Sequence, residues 1–247
     1  MPGTVFVTCW LSTVMWNSPA VREARLDMHV RKWTEAAKQI KDFRCEFKRK
    51  RIDTTFHTEA VDYVSVSGTG SRLLRSDVRN ANQELDWTFY IQDNEVHLYG
   101  HRQRTELAGK WPPEKRADGE RGGFFYRALF SEFPGHVIDL SLVLAGIPPT
   151  DVKRRFKVTL EAEDTSYVYL RSLPHSVDER AAYTDAWLAL DKKDYRTRLL
   201  SITTPSHDVI RYELKRREMN VSPPISAEVL GRDLQERWRP FGAPADH

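Results

Sequence analysis

Residues 181–220, AAYTDAWLALDKKDYRTRLLSITTPSHDVIRYELKRREMN, decide the fold. Segment 184–190 runs into the charged turn Asp191-Lys192-Lys193-Asp194. Segment 196–203 runs into Thr204-Pro205-Ser206-His207, and a third begins at Val209 and reaches Met219. Apolar and polar side chains alternate along each, so each segment buries one face and wets the other, the pattern of an antiparallel meander. The stretch carries no metal cluster, nucleotide loop or catalytic triad. It specifies a shape, and function has to be read from what that shape can hold.

The same period runs outward from this meander. Phe43, Cys45 and Phe47 alternate with Arg44, Glu46 and Lys48, and the strand continues past Ile52. Segments 61–66 and 72–78 follow as strands, with Gly68 and Gly70 marking a bulge or tight bend between them. Trp87, Phe89 and Ile91, the turn residues Asp93-Asn94, and Val96 with Leu98 form the best hairpin signal in the chain. A further hairpin pairs 156–160 with 167–170 around Glu163-Asp164.

Helical spacing is confined to a few places. Val30, Trp33, Ala37 and Ile40 form a stripe within 21–40. Segments 124–133 and 136–145 are apolar and helix-compatible, with Gly146 placed as a C-terminal cap. Thr150 caps a short helix over 151–155. Between them, 110–123 holds two Pro, three Gly and seven charges, which is a loop. The tail beyond Pro223 reads as short helix and loop.

Strands in sequence, interrupted once by helices, make an α+β fold: a large antiparallel sheet covered on its concave face by helices. Twist accumulates with strand number, so such a sheet curls. The chain divides into a leader over 1–20, one domain over 21–241 and a tail over 242–247. Residues 5–16 are apolar and end at Asn17-Ser18-Pro19-Ala20, whose Ser18 and Ala20 suit the −3 and −1 positions of a signal-peptidase site. The segment before them has no Lys or Arg. A disordered leader or an extra strand is the alternative reading.

Several of these stretches resemble the lipoprotein-carrier (LolA-like) superfamily. They are the amphipathic helix entering Phe43-Arg44-Cys45-Glu46-Phe47, the Ser67-Gly68-Thr69-Gly70 bend, Ala186-Trp187-Leu188, and Arg198-Leu199-Leu200-Ser201 running on toward Asn220. More narrowly, the chain is similar to an uncharacterised LolA-like family of planctomycete-type bacteria. The resemblance spans 30–241. It implies an incomplete β-barrel of about ten or eleven strands lidded by helices, a size at which open sheets curl. It also implies a concave face that receives acyl chains of a lipid or lipoprotein, and export to the periplasm. The charged segment 110–123 and the weak leader depart from that pattern.

Composition excludes other classes. With 38 basic and 35 acidic side chains the net charge is +3, so a dedicated nucleic-acid binder is not expected. The run Lys48-Arg49-Lys50-Arg51 reads as a solvated strand end or turn, the alternative being a contact with an anionic surface or RNA. Cys45 reads as a buried hydrophobe, and with Cys9 in the leader no intramolecular disulfide is expected. His97 and His101 are about 13 Å apart on a strand, too far to share a metal. Glu161, Glu163 and Asp164 read as solvent-facing. Ser131, Ser141 and Ser201 lack a nucleophile-elbow context, and 119–123 lacks the end of a phosphate loop. No catalysis, cofactor or metal site is expected.

The expected function is therefore non-catalytic binding of a lipid or acylated protein, by a monomer without a membrane span. The candidate cavity wall is Phe43, Phe47, Val64, Trp87, Phe89, Ile91, Leu98, Ile138, Leu142 and Trp187. Each buried methylene contributes about 0.8 kcal/mol, so two 16-carbon tails would gain on the order of 20 kcal/mol gross. The competing expectation is an interaction or scaffold module whose cavity its own side chains fill.

Overall fold

The computed structural model describes residues 18–70, 72–93, 95–102, 104–110, 137–149, 152–175, 177, 180, 183–234 and 239–240. Helix α1, Pro19–Ala37, starts at Ser18, whose extended backbone lets its hydroxyl accept from the Val21 N–H at 3.3 Å. Pro19, which has no N–H to lose, opens the first turn. Ser18, the candidate −3 residue of a leader, is thus a helix cap, and residues 1–17 fall outside the described residues. Leu26, His29 and Trp33 form the buried stripe of α1.

Strands β1 (Phe43–Asp53), β2 (Thr58–Gly68), β3 (Leu73–Arg79), β4 (Leu85–Gln92), β5 (Glu95–Gly100) and β6 (Thr105–Lys110) form a first meander. Helices α2 (Val137–Leu144) and α3 (Val152–Arg155) come next. A second meander comprises β7 (Phe156–Glu163), β8 (Tyr167–Pro174), β9 (Asp185–Asp191), β10 (Thr197–Thr203) and β11 (Val209–Met219). The chain ends with α4 (Ala227–Gly231), a 3-10 turn and the two-residue β12 (Arg239–Pro240). Of the loop expected over 110–123, Lys110 instead ends β6 and the rest lies outside the described residues, as do the helix expected over 124–133 and Thr150 with Asp151.

All the strands belong to one sheet, in the order β12-β6-β5-β4-β3-β2-β1-β11-β10-β9-β8-β7. The two meanders join where β1 pairs antiparallel with β11, from Phe43 opposite Met219 to Ile52 opposite Val209. Among the described strands, only the β12–β6 pairing is parallel. Bulges at Glu46/Phe47, Val78/Arg79, Leu160/Ala162 and Thr197/Leu199 add local twist. The sheet curls without closing: Val96 and Leu98 of β5 share one core with Val168 and Leu170 of β8, and with α1 and α2. The fold is the expected α+β curved sheet. Its strand number exceeds the expectation through β6 and β12, which carry little alternation of their own.

The connection from β6 to β7 links opposite halves of the sheet, and α2 belongs to it. Its end is fixed by a left-handed Gly146 (φ 86°). The Ile147 N–H reaches the Leu142 carbonyl at 2.8 Å and the Gly146 N–H the Val143 carbonyl at 2.9 Å. A Cβ at Gly146 would stand 2.8 Å from Arg196 Cδ, so the position also needs the missing side chain. The tail does more than expected. It packs Ile225, Leu230 and Leu234 over Tyr90 and Tyr99 on the opposite side of the sheet, where Arg75 donates to the Leu230 carbonyl at 2.7 Å.

Candidate functional site

Helix α2 partitions the space inside the curl, because Leu140 contributes to the wall on both of its sides. Toward β2–β4 the space is nearly filled. Val64, Val78, Trp87 and Phe89 meet Leu140 and Leu144 around a gap of about 30 Å³ that also touches Arg49 and Tyr212. Toward β7–β10 an apolar cavity of about 100 Å³ remains, open to solvent on one side.

The cavity wall follows from strand alternation. Phe156 and Val158 of β7, Leu170 and Ser172 of β8, Ala186 and Leu188 of β9, and Leu200 and Ile202 of β10 are spaced by two and face the same way. Trp33 of α1, Val143 of α2, Pro149 and Val152 complete it, with Tyr183. Among the described lining residues, only Ser172 and Tyr183 bring a side-chain oxygen. None of the described lining residues is a base or a charged group, and no group of metal-ligating residues occurs among the described residues. What the wall can do is remove hydrocarbon from water.

The cover is anchored by polar contacts at its margins. Trp33 Nε1 donates to the Gly146 carbonyl at 2.8 Å, joining α1 to the end of α2. Arg196 donates to the Ala36 carbonyl at 3.1 Å, and the Thr197 hydroxyl donates to the Val143 carbonyl, so the start of β10 grips both helices. Glu163 pairs with Arg25 of α1 and with Lys192 at 2.7 Å, and its other neighbour is His29 Nε2 at 3.3 Å. His29 Nδ1 meets the Tyr195 hydroxyl at 2.9 Å. Burial, with Lys192, Lys32 and Arg25 nearby, pushes His29 down to about 4; the single charge of Glu163 is already matched by two cations. Glu163 is therefore a hub that fixes α1 to the sheet, which corrects its reading as solvent-facing.

The candidate wall residues are distributed as follows. Phe43, Phe47, Ile91, Leu98 and Leu142 are buried in the core and do not line the open cavity. Val64, Trp87 and Phe89 line the small gap on the other side of α2. Ile138 lies on α2, and its side chain is outside the described residues. Trp187 is a correction. It is 40% exposed, under the Arg171 guanidinium at 5.5 Å, because its neighbours Ala186 and Leu188 point into the cavity. Leu170, Leu188, Leu200, Ile202, Phe156 and Val158 were the missed wall. The alternation of their strands carried the signal.

The basic run is also corrected. Arg49 is buried and donates to Asp62 from Nε and Nη2 at 3.1 and 2.7 Å; Arg51 reaches the same carboxylate, and Lys50 pairs with Glu59 at 2.7 Å. Cys45 is fully buried, and burial pushes its thiol up to about 12. His97 and His101 have separate partners, Glu106 at 2.6 Å and Thr88 at 2.8 Å.

No family model matches the chain, and no curated protein matches it. Solved structures resemble it in fold. An uncharacterised conserved protein from Thermus thermophilus superposes with a TM-score of 0.50 over 84% of this chain and 93% of that one, at 9% identity. A LolA superfamily protein from Nitrosomonas europaea aligns over 83% and 98% of the two chains, at 10% identity and a TM-score of 0.37. A DUF1329 family protein from Desulfovibrio piger aligns over 87% and 99%, at 11% identity and a TM-score of 0.43. No helix among the described residues is long and apolar enough to cross a membrane.

Proposed function

We propose that the chain is a non-catalytic binder of an acyl chain, belonging to a lipid or an acylated protein, and that it acts in the cell envelope. The observation that carries this is the open apolar cavity between α1–α3 and β7–β10. An apolar cavity on the order of 150 Å³ stays dry and takes benzene. At about 100 Å³ the present cavity suits a short stretch of one chain, not two whole tails. Each methylene entering it contributes about 0.8 kcal/mol before ordering costs. The buried, ion-paired state of Arg49 weighs against a nucleic-acid surface at 48–51.

The test is a titration of delipidated protein with a fluorescent twelve-carbon fatty acid. Stoichiometric binding that unlabelled lauric acid displaces is expected, with loss of binding in Ala186→Phe, a variant that fills the cavity and whose folding circular dichroism verifies. Absence of displaceable binding at micromolar probe would overturn the proposal. The filled gap beside Trp87 favours the competing reading, a module with a self-filled interior, and native mass spectrometry without any bound lipid would support it.

A further inference from the structure

The two spaces inside the curl differ in chemistry as well as in size, and one side chain stands between them. Helix α2 carries Leu140, Val143 and Leu144 on the stripe that faces them. Residues three and four positions further along a helix flank the first on opposite sides of its face. Val143 accordingly lines the cavity of about 100 Å³, Leu144 the gap of about 30 Å³, and Leu140 both. The Trp33 and Thr197 bonds to the Gly146 and Val143 carbonyls hold the end of this helix and fix where Leu140 stands. On the gap side of Leu140 stand the hydroxyls of Ser76, Ser141 and Tyr212, with the Arg49 guanidinium, whose charge Asp62 matches at 2.7 Å. Ser76 and Ser141 are buried there. At its other end the cavity shares Pro149 and Val152 with a surface groove, so its mouth lies by α3 and Leu140 lies at its inner end.

We propose that Leu140 is the specificity-determining floor of the acyl slot: the chain enters tail first past Pro149 and Val152, and its methyl end stops against Leu140 without reaching the hydroxyl-lined gap. This rests on the acyl-binding reading and adds to it the depth and direction of the bound chain. Each carbon held inside the slot tightens binding about fourfold. Carbons added beyond that depth are pushed out past the mouth and gain less, so the floor sets a preferred length. A hydroxyl on the last carbon would meet hydrocarbon and lose its water partners, so the floor also rejects chains with a polar end.

The experiment sets fatty acids of eight to sixteen carbons, and ω-hydroxylated lauric acid beside lauric acid, in competition with the fluorescent fatty acid for the full chain. The native protein is expected to bind the hydroxylated acid about tenfold more weakly than lauric acid. Leu140→Ala joins the gap to the cavity, so the preferred length should rise by about three or four carbons. The hydroxylated acid should then bind at least as tightly as lauric acid, its hydroxyl reaching Ser76 and Ser141. Leu140→Phe should lower the preferred length. Leu144→Ala is the control, because it enlarges the gap and leaves the partition in place, so both preferences should stay native. Circular dichroism verifies the fold of each variant. An unchanged length preference in a folded Leu140 variant, or the same rise in Leu144→Ala, overturns the floor and leaves the acyl site standing. Equal binding of the two twelve-carbon acids by the native protein overturns the tail-first direction, because the hydroxyl then lies in water at the mouth. Binding of neither acid overturns the acyl reading itself.

Discussion

Leu170→Ala separates a ligand-sized cavity from an ordinary packing defect. Leu170 is 2% exposed, belongs to the main core and forms part of the cavity wall. Removing three carbons from such a site costs about 2–5 kcal/mol, the higher values where the surroundings cannot collapse. The cavity is already open here, so about 3 kcal/mol is expected, lowering Tm by roughly 6–12 °C in a chain of this size. The same deletion lengthens the slot. The alkyl chain length bound most tightly, measured by competition across an eight- to sixteen-carbon fatty-acid series, should rise by about two or three carbons, each worth about 0.8 kcal/mol. Ligand at a hundredfold above Kd should restore about 2.7 kcal/mol of stability. Leu74→Ala is the control: Leu74 is fully buried in the same core but distant from the wall, so it should lose stability without changing the preferred length. An unchanged optimum in Leu170→Ala, or the same change in both variants, would refute the assignment of this wall.

Two further outcomes follow from the polar contacts. Asp62→Ala leaves the buried Arg49 guanidinium with its Tyr212 hydrogen bond but without its counter-charge and should cost about 3–5 kcal/mol in urea unfolding, much of it recovered when Arg49→Leu is added; a loss under about 1 kcal/mol would show that the pair is solvated. His29 is held neutral in the folded state, down to about 4 against an ordinary value near 6.5, so the unfolded chain binds more protons between those values. Stability should therefore fall by up to about 1.4 kcal/mol per pH unit as pH drops through that window, and His29→Gln should flatten the slope measured by denaturant unfolding at pH 7 and pH 5.

The period-two pattern made most of the sheet legible. Phe43, Cys45 and Phe47 are buried and Arg44 and Glu46 exposed, as alternation requires. The hairpin around Asp93 forms with Trp87 opposite Gly100 and Ile91 opposite Val96. Gly146 ends its helix in the left-handed conformation that favours glycine. The candidate wall was less legible, for two reasons. Size suggested that Trp187 faces inward, yet its cross-strand neighbours Arg171 and Ser201 are polar, and the face belongs to Ala186 and Leu188. The side of α2 left open depends on how one helix settles between two sets of strands, and no local pattern encodes that. Glu163 likewise sits beside a turn, where carboxylates are usually wet. Only the chain crossing brings Arg25, His29 and Lys192 around it.

The division of labour within the site explains why the chain carries no short motif. Directional contacts occur at the margin: Trp33 to Gly146, Arg196 to Ala36, Thr197 to Val143, and Glu163 to Arg25 and Lys192. They set where the helices stand. The wall they enclose offers only area, and area discriminates by length and volume, not by the placement of individual atoms. Many side-chain combinations supply equivalent area, so alternation in β7–β10 suffices to specify such a wall.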